Sequence, residues 1–305
     1  MKYQSTNRHA PIVNAHEAVM NGLAPDGGLY VPRDVPKLPE SFWLSLSDRS
    51  LQEIGFEIAN AYLSEDVSEI ILRDIISKTL SFEIPLVSLT ERISILELFH
   101  GPTLAFKDVG ARFTACLMGH FVERENREFT ILVATSGDTG SAVANGFYGV
   151  SGIRVVILYP KGRVSPIQEK QMTTLGGNIS ALEIDGSFDD CQRLVKEAFL
   201  DEDLTKRFRL TSANSINIAR LIPQMFYHVL ARARSTCAHP LVMSVPSGNF
   251  GNLTAGLMAK RMGMFVDRFI AATNRNDVVP AYLEHGIFTP RPSVQTISNA
   301  MDVGN

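Results

Sequence analysis

The chain has 305 residues, of which 45% are hydrophobic and 20% are charged, and its formal net charge is −3. This composition is typical of a globular protein long enough for two domains, and the absence of a long basic run argues against nucleic acid or a membrane surface as partner. Three widely separated cysteines, Cys116, Cys191 and Cys237, argue against a disulfide framework and a zinc site. We find neither a secretory signal nor a membrane-spanning run and expect a cytoplasmic protein.

Residues 1–95 are predicted to form a hairpin and helices. Turn-forming residues dominate the first 45 positions, where Pro25–Pro32 reads as a tight turn followed by an extended piece. Apolar residues at helical spacing then indicate two amphipathic helices between Leu51 and Leu80. A short strand is expected to follow and to lead into the segment Glu97–Gly110.

The segment Glu97–Gly110 contains the lysine on which the functional interpretation depends. Lys107 lies between Phe106 and Asp108, shortly after a Gly101-Pro102 break, so it is predicted to lie at the start of a helix. There the helix dipole and apolar neighbours favour a neutral amine, which a Schiff-base lysine requires. The alternative is an ordinary solvated lysine, and the residues further along the chain favour the first interpretation.

Residues 96–235 are predicted to form an α/β domain. Apolar, strand-like runs begin near positions 129, 153, 179 and 208, and each is followed by a helical pattern. This alternation predicts a parallel sheet that is covered on both faces. Ser187 and Asp190 have the spacing of a capping box at the start of the third helix. One long helix is expected after the fourth strand.

Residues 236–305 are predicted to begin a second α/β domain. A strand at 242–246 is followed by a glycine-containing turn and a helix, and Phe269–Asn274 reads as the next strand. Two strands are fewer than a sheet usually has. We therefore expect the second domain to be incomplete in a chain that ends at Asn305.

The turn after the strand at 242–246 is a candidate phosphate site. Ligands bind beyond the carboxyl ends of the strands in an open parallel sheet. Its glycines allow consecutive backbone N–H groups to point at an anion where a helix begins. The motif is neither a P-loop nor a dinucleotide-binding fingerprint, which makes a nucleotide enzyme the weaker interpretation. The six residues of the turn are Ser247, Gly248, Asn249, Phe250, Gly251 and Asn252.

Three other strand ends carry groups suited to the anions of a substrate. The Ser136–Thr139 turn could bind a carboxylate, or could simply cap a helix. A basic loop with Lys161 and Arg163 could bind a second anion, or could be solvated. Arg220 could clamp a phosphate or carboxylate, whereas Asn214 could instead be a helix N-cap. The candidate substrate residues are Ser136, Gly137, Asp138, Thr139, Lys161, Asn214, Asn217 and Arg220.

No metal site or serine triad is indicated. The seven histidines show no zinc-binding spacing, and no nucleophile elbow is present. We expect His100, close to Lys107 in sequence, to form a local contact. One reactive lysine, one phosphate-binding turn and separate substrate anion sites are what pyridoxal phosphate requires, since its aldehyde must meet an amine while its phosphate is anchored.

The sequence resembles the threonine synthases, a family of fold-type II enzymes that depend on pyridoxal phosphate. The matching motifs cover nearly the whole chain and follow the family's order: APDGGLYVP, ELFHGPTLAFKDVG, ATSGDTGSA, YPKGRVSPIQEKQMTT, TSANSINIARLIPQ, VPSGNFGNLTAG and ATNRNDVVP. The resemblance implies two parallel-sheet α/β domains after an N-terminal segment. It also implies that Lys107 is the catalytic Schiff-base residue with Phe106 beside it, and that Ser247–Asn252 bind the cofactor phosphate.

The implied reaction converts O-phospho-L-homoserine and water to L-threonine and phosphate, the last step of threonine biosynthesis. It proceeds by γ-elimination and then β-addition of water, with Lys107 as proton shuttle. The resemblance implies a small-molecule substrate, no metal, and a monomer or homodimer. Family members continue beyond the end of this chain and there supply a hydroxyl residue that faces the pyridine nitrogen. We identify no equivalent of it here.

Two other functions would account for fewer of these sequence features. Another fold-type II lyase, such as a serine/threonine dehydratase or cysteine synthase, would not need a second phosphate site at Lys161 and Arg220. A related protein that binds pyridoxal phosphate or a phosphorylated metabolite without turnover would not need Lys107 together with Ser247–Asn252. A structural or partner-binding protein would have no use for this ordered set of anion sites.

Overall fold

A computed structural model describes residues 1–125, 127–215, 217–236 and 240–304, apart from the side chain of Arg124; Cys237 and Asn305 lie outside the described residues. The helices are α1 (Ala15–Asn21), α2 (Glu40–Leu44), α3 (Leu51–Leu63), α4 (Glu69–Thr79), α5 (Lys107–Glu125), α6 (Asp138–Phe147), α7 (Pro166–Thr173), α8 (Phe188–Leu200), α9 (Glu202–Phe208), α10 (Ile218–Leu221), α11 (Gln224–Arg234), α12 (Gly251–Met262) and α13 (Val278–His285). Short 3-10 helices occupy Leu46–Asp48 and Asn299–Met301. None of these helices combines the length and apolar character that crossing a membrane requires.

The strands are β1 (Tyr3–Ser5), β2 (Tyr30–Pro32), β3 (Leu86–Ser88), β4 (Ser94–Leu96), β5 (Phe129–Ala134), β6 (Ile153–Pro160), β7 (Ile179–Ile184), β8 (Leu210–Thr211), β9 (Val242–Pro246) and β10 (Arg268–Ala272). In the described part of the chain, the largest sheet is parallel with the strand order β7-β6-β5-β8. Every residue of β5 is buried, as expected for a parallel strand covered on both faces. Because the strands run in one direction, the turns that follow β5, β6 and β8 lie at one edge of the sheet.

A second parallel pair carries the candidate phosphate-binding turn. Strands β9 and β10 pair in register from Val242↔Arg268 to Pro246↔Ala272, and α12 follows β9. This pair and the larger sheet confirm the predicted α/β class with parallel sheets. The main hydrophobic core runs through the described chain from Tyr3 in β1 to Val266, just before β10, and a smaller cluster that includes Leu132, Leu158 and Cys191 joins α8 to the sheet.

The N-terminal segment contains the two expected helices, α3 and α4, but its first two strands are joined through α1 and not by a hairpin turn. Strands β1 and β2 pair antiparallel, as do β3 and β4. The hydroxyl of Tyr3 donates to the carbonyl of Tyr62 in α3 at 3.1 Å, and both side chains are fully buried. The hydroxyl of Tyr62 lies 3.9 Å from Sδ of Met225 in α11, so this segment packs against the rest of the molecule through the shared core.

The prediction of one long helix after the fourth strand is wrong, because two helices, α10 and α11, are separated at Pro223. Proline lacks an N–H donor and its ring clashes with the preceding helical turn, so α10 ends at Leu221 and α11 begins at Gln224. The N-cap role considered as an alternative for Asn214 belongs to another residue. Asn217, not Asn214, caps α10, and its Oδ1 accepts from the N–H of Ala219 at 2.9 Å. The capping box of Ser187 and Asp190 is confirmed.

Asp26 stabilises the turn that the sequence predicts near the N-terminus. Its carboxylate accepts a hydrogen bond from the Ser5 hydroxyl at 2.6 Å and others from the N–H groups of Gly28, His9 and Ala10. The hydrogen bond from Ser5 contributes most to lowering the pKa of Asp26 to about 2. The folded state therefore favours the ionised carboxylate.

We expect the Asp26→Asn substitution to lower the thermal unfolding midpoint at neutral pH, because an amide accepts through one oxygen only. The pKa of Asp26 is lower in the folded state than its ordinary value of 3.8, so the carboxylate's contribution is fully present above that value and is lost as the pH falls toward about 2. Unfolding midpoints of the native and substituted proteins should therefore converge in acid. Asp34→Asn, at an exposed position, is the control, and a gap that persists unchanged at about pH 2 would contradict this assignment.

Candidate active site

Lys107 is the first residue of α5, and its amine is mostly buried. The side chain is 13% exposed, and Nζ lies 2.6 Å from Oδ2 of Asp138, whose side chain is 14% exposed. The Phe106 ring centroid lies 5.4 Å from the same amine. An ordinary solvated lysine does not fit this environment. The predicted apolar surroundings are incomplete, however, because the amine also contacts the Asp138 carboxylate.

The backbone that leads into Lys107 is held from two sides. The buried carboxylate of Asp108 accepts from the N–H of Thr103 at 3.0 Å and from its hydroxyl at 2.5 Å, and burial raises the pKa of Asp108. On the other side, the hydroxyl of Tyr227 in α11 donates to the Phe106 carbonyl. Burial raises the pKa of Tyr227. Sequence reasoning missed Tyr227, because one aromatic residue in an apolar helix gives no functional signal.

The turn after β5 has a shape that depends on glycine. The Thr135 hydroxyl accepts from the N–H groups of Gly137 at 2.9 Å and Gly140 at 2.8 Å. Gly137 has φ +136°, and a Cβ atom there would lie 2.3 Å from Oε1 of Gln168. A larger residue would have to displace the Gln168 side chain and would be strained at this φ, so glycine favours the observed turn.

This turn presents polar groups at the start of α6. Oδ1 of Asp138 accepts from the N–H of Thr139 at 2.8 Å, which orients its other oxygen toward Lys107. The N–H groups of Ser136 and Asp138 donate to no described residue. Free N–H groups at the start of a helix can bind an anion, so the turn can offer donors to a carboxylate while Asp138 contacts the amine.

Arg220 is a buried cation beside the start of α5. It is 3% exposed, and its Nε lies 3.4 Å from the position that a Cβ atom on Gly110 would occupy. Neither Nε nor Nη1 donates to a described residue. Burial lowers the pKa of Arg220 to about 10, against the opposing influence of Asp138 and other nearby groups. An unpaired buried charge is unfavourable, so an anion bound here would relieve a cost that the free protein carries.

Asn217 has a structural role in place of the predicted contact with substrate. Beyond capping α10, its Nδ2 donates to the carbonyls of Val19 at 2.8 Å and Ser212 at 3.1 Å. Both ends of the amide are therefore occupied, and the residue is 1% exposed. We attribute to Asn217 the attachment of α10 to the N-terminal segment.

Lys161 and Asn214 remain available for a ligand. Lys161 is exposed and directly follows β6, and its backbone N–H donates to Ile184 at 2.9 Å. No described residue forms an ion pair with its amine. Oδ1 of Asn214 is buried and has no described hydrogen-bond partner. Both residues follow strands that end at the same edge as β5.

The candidate phosphate-binding turn has free N–H groups where α12 begins. Phe250, with φ +57°, precedes the first helical residue, Gly251. The Ser247 hydroxyl donates to the carbonyl of Val245 at 2.8 Å and so helps to hold the turn on β9. The N–H groups of Gly248–Asn252 donate to no described residue. Free N–H groups at a helix start are typical of phosphate sites.

Helix α11 connects this turn with Lys107 and Arg220. His228 donates through Nε2 to the carbonyl of Asn252 at 2.8 Å, and burial lowers the pKa of His228. One turn earlier, Gln224 donates to the carbonyl of Arg220 at 2.7 Å. Because Tyr227 of the same helix bonds the residue before Lys107, α11 sets the relative positions of all three groups.

Two smaller expectations concern His100 and metals. Nε2 of His100 lies 2.7 Å from Oε2 of Glu97, and its ring stacks on Phe99, so the expected local contact is confirmed. Among the described residues, no group of three or more His, Cys, Asp or Glu could hold a metal ion. The residues present do fit pyridoxal phosphate, since an amine for its aldehyde and free N–H groups for its phosphate are both available.

Two protein-family models together match nearly the whole chain. The model for "Threonine synthase N terminus" matches residues 2–80, and the model for "Pyridoxal-phosphate dependent enzyme" matches residues 77–305. Threonine synthase from Serratia marcescens is 47% identical over 99% of this chain and 71% of its own length.

Solved structures agree with the sequence comparisons. Threonine synthase from Escherichia coli has a TM-score of 0.93 and 46% identity, and the match covers 100% of this chain and 71% of that one. The threonine synthase from Brucella melitensis, solved with bound pyridoxal phosphate, has a TM-score of 0.93 and 38% identity over 100% of this chain and 67% of that one. The chain therefore belongs to the threonine synthase family of pyridoxal-phosphate-dependent enzymes.

Proposed function

We propose that this chain converts O-phospho-L-homoserine and water to L-threonine and phosphate, with pyridoxal phosphate as cofactor. The observation that carries the proposal is the arrangement around α11. Side chains of this helix donate to backbone carbonyls of the Lys107 segment, of Arg220 and of the turn Gly248–Asn252, and so connect all three to one element. Membership of the threonine synthase family supports the same reaction.

The cofactor requires two attachment points from this chain. Lys107 would attach to its aldehyde carbon, beside Phe106, and Ser247–Asn252 would hold its phosphate through backbone N–H groups. Bound pyridoxal phosphate supplies an electron sink for the charge that develops on the substrate carbons. The rest of the reaction depends on proton transfer and on the binding of substrate anions by side chains of this chain.

Lys107 is the proposed proton shuttle between substrate carbons. Once its amine is free, it can remove the Cα proton and later return protons, because it is the amine that the cofactor brings to the reacting carbons. Asp138 contacts Lys107 Nζ at 2.6 Å in the present structure. The contact can therefore hold the amine in place beside the reacting carbons.

The substrate's two anionic groups would bind on different elements. Free N–H groups of the Ser136–Thr139 turn are suited to the carboxylate, while Arg220 and Lys161 are suited to the phosphate. A cation on the leaving phosphate stabilises the charge that develops as the bond to Cγ breaks. Asn214 remains a candidate because its buried oxygen is unpaired, whereas the contacts of Asn217 assign it to the fold.

The remaining proposals concern organisation. We assign residues 1–95 to an N-terminal segment, 96–235 to the α/β domain with Lys107, and 236–305 to the start of a second α/β domain. The chain would act on a small molecule in the cytoplasm, as a monomer or homodimer.

The purified chain should turn yellow with pyridoxal phosphate and should release phosphate and threonine from O-phosphohomoserine in equal amounts. Borohydride treatment followed by peptide mapping should identify Lys107 as the labelled residue. L-serine, L-threonine and O-acetylserine serve as alternative substrates. Turnover of one of these without phosphate release would favour a dehydratase or cysteine synthase, and a labelled protein without any turnover would favour a binding protein.

A further inference from the structure

A polar cluster centred on Asp302 follows the two strands of the smaller sheet. Oδ1 of Asp302 accepts from Nδ2 of Asn274 at 2.9 Å, from Nδ2 of Asn276 at 3.1 Å and from the hydroxyl of Thr296 at 2.6 Å. Its other oxygen accepts from the N–H of Thr296 at 2.9 Å. One carboxylate therefore binds two side chains that follow β10 and one residue of the loop 294–302.

The same loop is attached to the end of β10 by further hydrogen bonds. Asn276 donates to the carbonyl of Val294 at 2.9 Å and accepts from its N–H at 2.7 Å. Asn274 donates to the Ser298 hydroxyl at 3.0 Å, and its Oδ1 accepts from the N–H of Asn276 at 2.9 Å. Both asparagines belong to the ATNRNDVVP motif that follows the start of β10.

The loop 294–302 lies directly against the phosphate-binding turn. A Cβ atom on Gly248 would lie 2.7 Å from Cα of Met301 and 3.3 Å from the carbonyl oxygen of Ala300. A side chain at position 248 would therefore displace either the turn or the loop. A cavity of about 210 Å³ lies beside the turn; it is lined by Gly248, Asn249, Phe250, Asn276, Val278, Val279, Phe288 and Val303.

We propose that Asp302 is a positioning residue for the phosphate-binding turn. By fastening the loop 294–302 to Asn274 and Asn276, it holds Ala300 and Met301 against Gly248 and so maintains the conformation in which the N–H groups of Gly248–Asn252 face one anion. This inference rests on the proposed function, because the anion is the phosphate of pyridoxal phosphate. Donors that are held in place before binding lose less conformational freedom when the anion binds.

The Asp302→Asn substitution tests this role with little change in shape. In the native chain both carboxylate oxygens accept hydrogen bonds from N–H or O–H groups. Whichever way the new amide is oriented, its NH₂ group therefore faces another donor, and at least one hydrogen bond is lost. We expect the dissociation constant for pyridoxal phosphate, measured by absorbance and fluorescence titration, to rise about tenfold or more, since hydrogen bonds to a charged group are the stronger kind. Binding of pyridoxal, which lacks the phosphate, should change less than about twofold.

Asp277→Asn is the matched control. Asp277 pairs with Arg291 at 2.7 Å in the same region, but both side chains are about half exposed and neither belongs to the cluster. This substitution should leave both affinities and the unfolding midpoint nearly unchanged. Thr296→Val, which removes one donor to Asp302, should weaken pyridoxal phosphate in the same direction by a smaller factor, and it provides the test if Asp302→Asn does not fold.

The outcomes separate this inference from the proposed function. Loss of pyridoxal phosphate affinity with unchanged pyridoxal affinity would support a positioning role. Equal loss of both ligands, or a lower unfolding midpoint with unchanged affinity for pyridoxal phosphate, would overturn it and leave Asp302 as a purely structural residue. A native chain that binds pyridoxal phosphate no better than pyridoxal would contradict the proposed phosphate site itself.

Discussion

Replacing Lys107 by alanine should reduce threonine formation by more than about a thousandfold, because a general acid–base group alone typically contributes about 10²–10⁴ to the rate and Lys107 is also the proposed attachment point of the cofactor. The visible absorption of the lysine-bound cofactor should disappear. Phosphate release from O-phosphohomoserine and visible absorbance are the two measurements.

The matched control for Lys107 is Lys206→Ala. Lys206 forms an exposed ion pair with Glu202 in α9 and is not a candidate site residue, and a surface pair of this kind contributes little. Its activity and absorption should equal those of the native chain. Full activity in Lys107→Ala would rule out the proposed proton shuttle, whereas loss of absorption without loss of turnover would mean that the amine attaches the cofactor without taking part in proton transfer.

Replacing Arg220 by methionine should separate substrate binding from cofactor binding. Methionine keeps much of the buried volume and removes the charge. We expect KM for O-phosphohomoserine to rise about 10- to 100-fold, as for the loss of a charge-assisted hydrogen bond. The affinity for pyridoxal phosphate should change by less than about threefold, because the cofactor phosphate is assigned to backbone N–H groups.

The same substitution should also affect stability in an unusual direction. In the free chain, Arg220 is 3% exposed and two of its donors have no described partner, so removing the charge should leave the unfolding midpoint unchanged or higher. Arg193→Met, at an exposed residue of α8, is the control. Equal losses of substrate and cofactor affinity, or a strongly lowered midpoint, would mean that Arg220 supports the fold and does not bind the substrate phosphate.

The family and the fold class were predictable because both depend on local sequence. Seven short motifs in order predicted the threonine synthase family, which the comparisons confirm. The apolar run at 129–134 predicted a strand buried on both faces, and Ser187 with Asp190 predicted a helix start. Such signals lie within a few residues of the structure that they specify, so a single sequence is enough to recognise them.

The prediction for the region of α10 and α11 was incomplete because local signals there competed. Asn214 and Asn217 are both good N-caps, and the choice between them depends on the contact of Asn217 with Val19, which lies far away in the sequence. Pro223 interrupts an otherwise continuous helical pattern, and whether such a helix bends or ends depends on its packing.

By itself, the sequence determined the fold class, the family, the reactive lysine as a candidate and the glycine-containing turn suited to phosphate. Only the tertiary structure decided which groups meet. It brings Asp138 to Lys107, aims Tyr227 at the backbone before that lysine, buries Arg220 without a described partner, and gathers Asn274 and Thr296 around Asp302. Contacts between residues far apart in the chain leave no fixed spacing, since their separation depends on the lengths of all the elements between them.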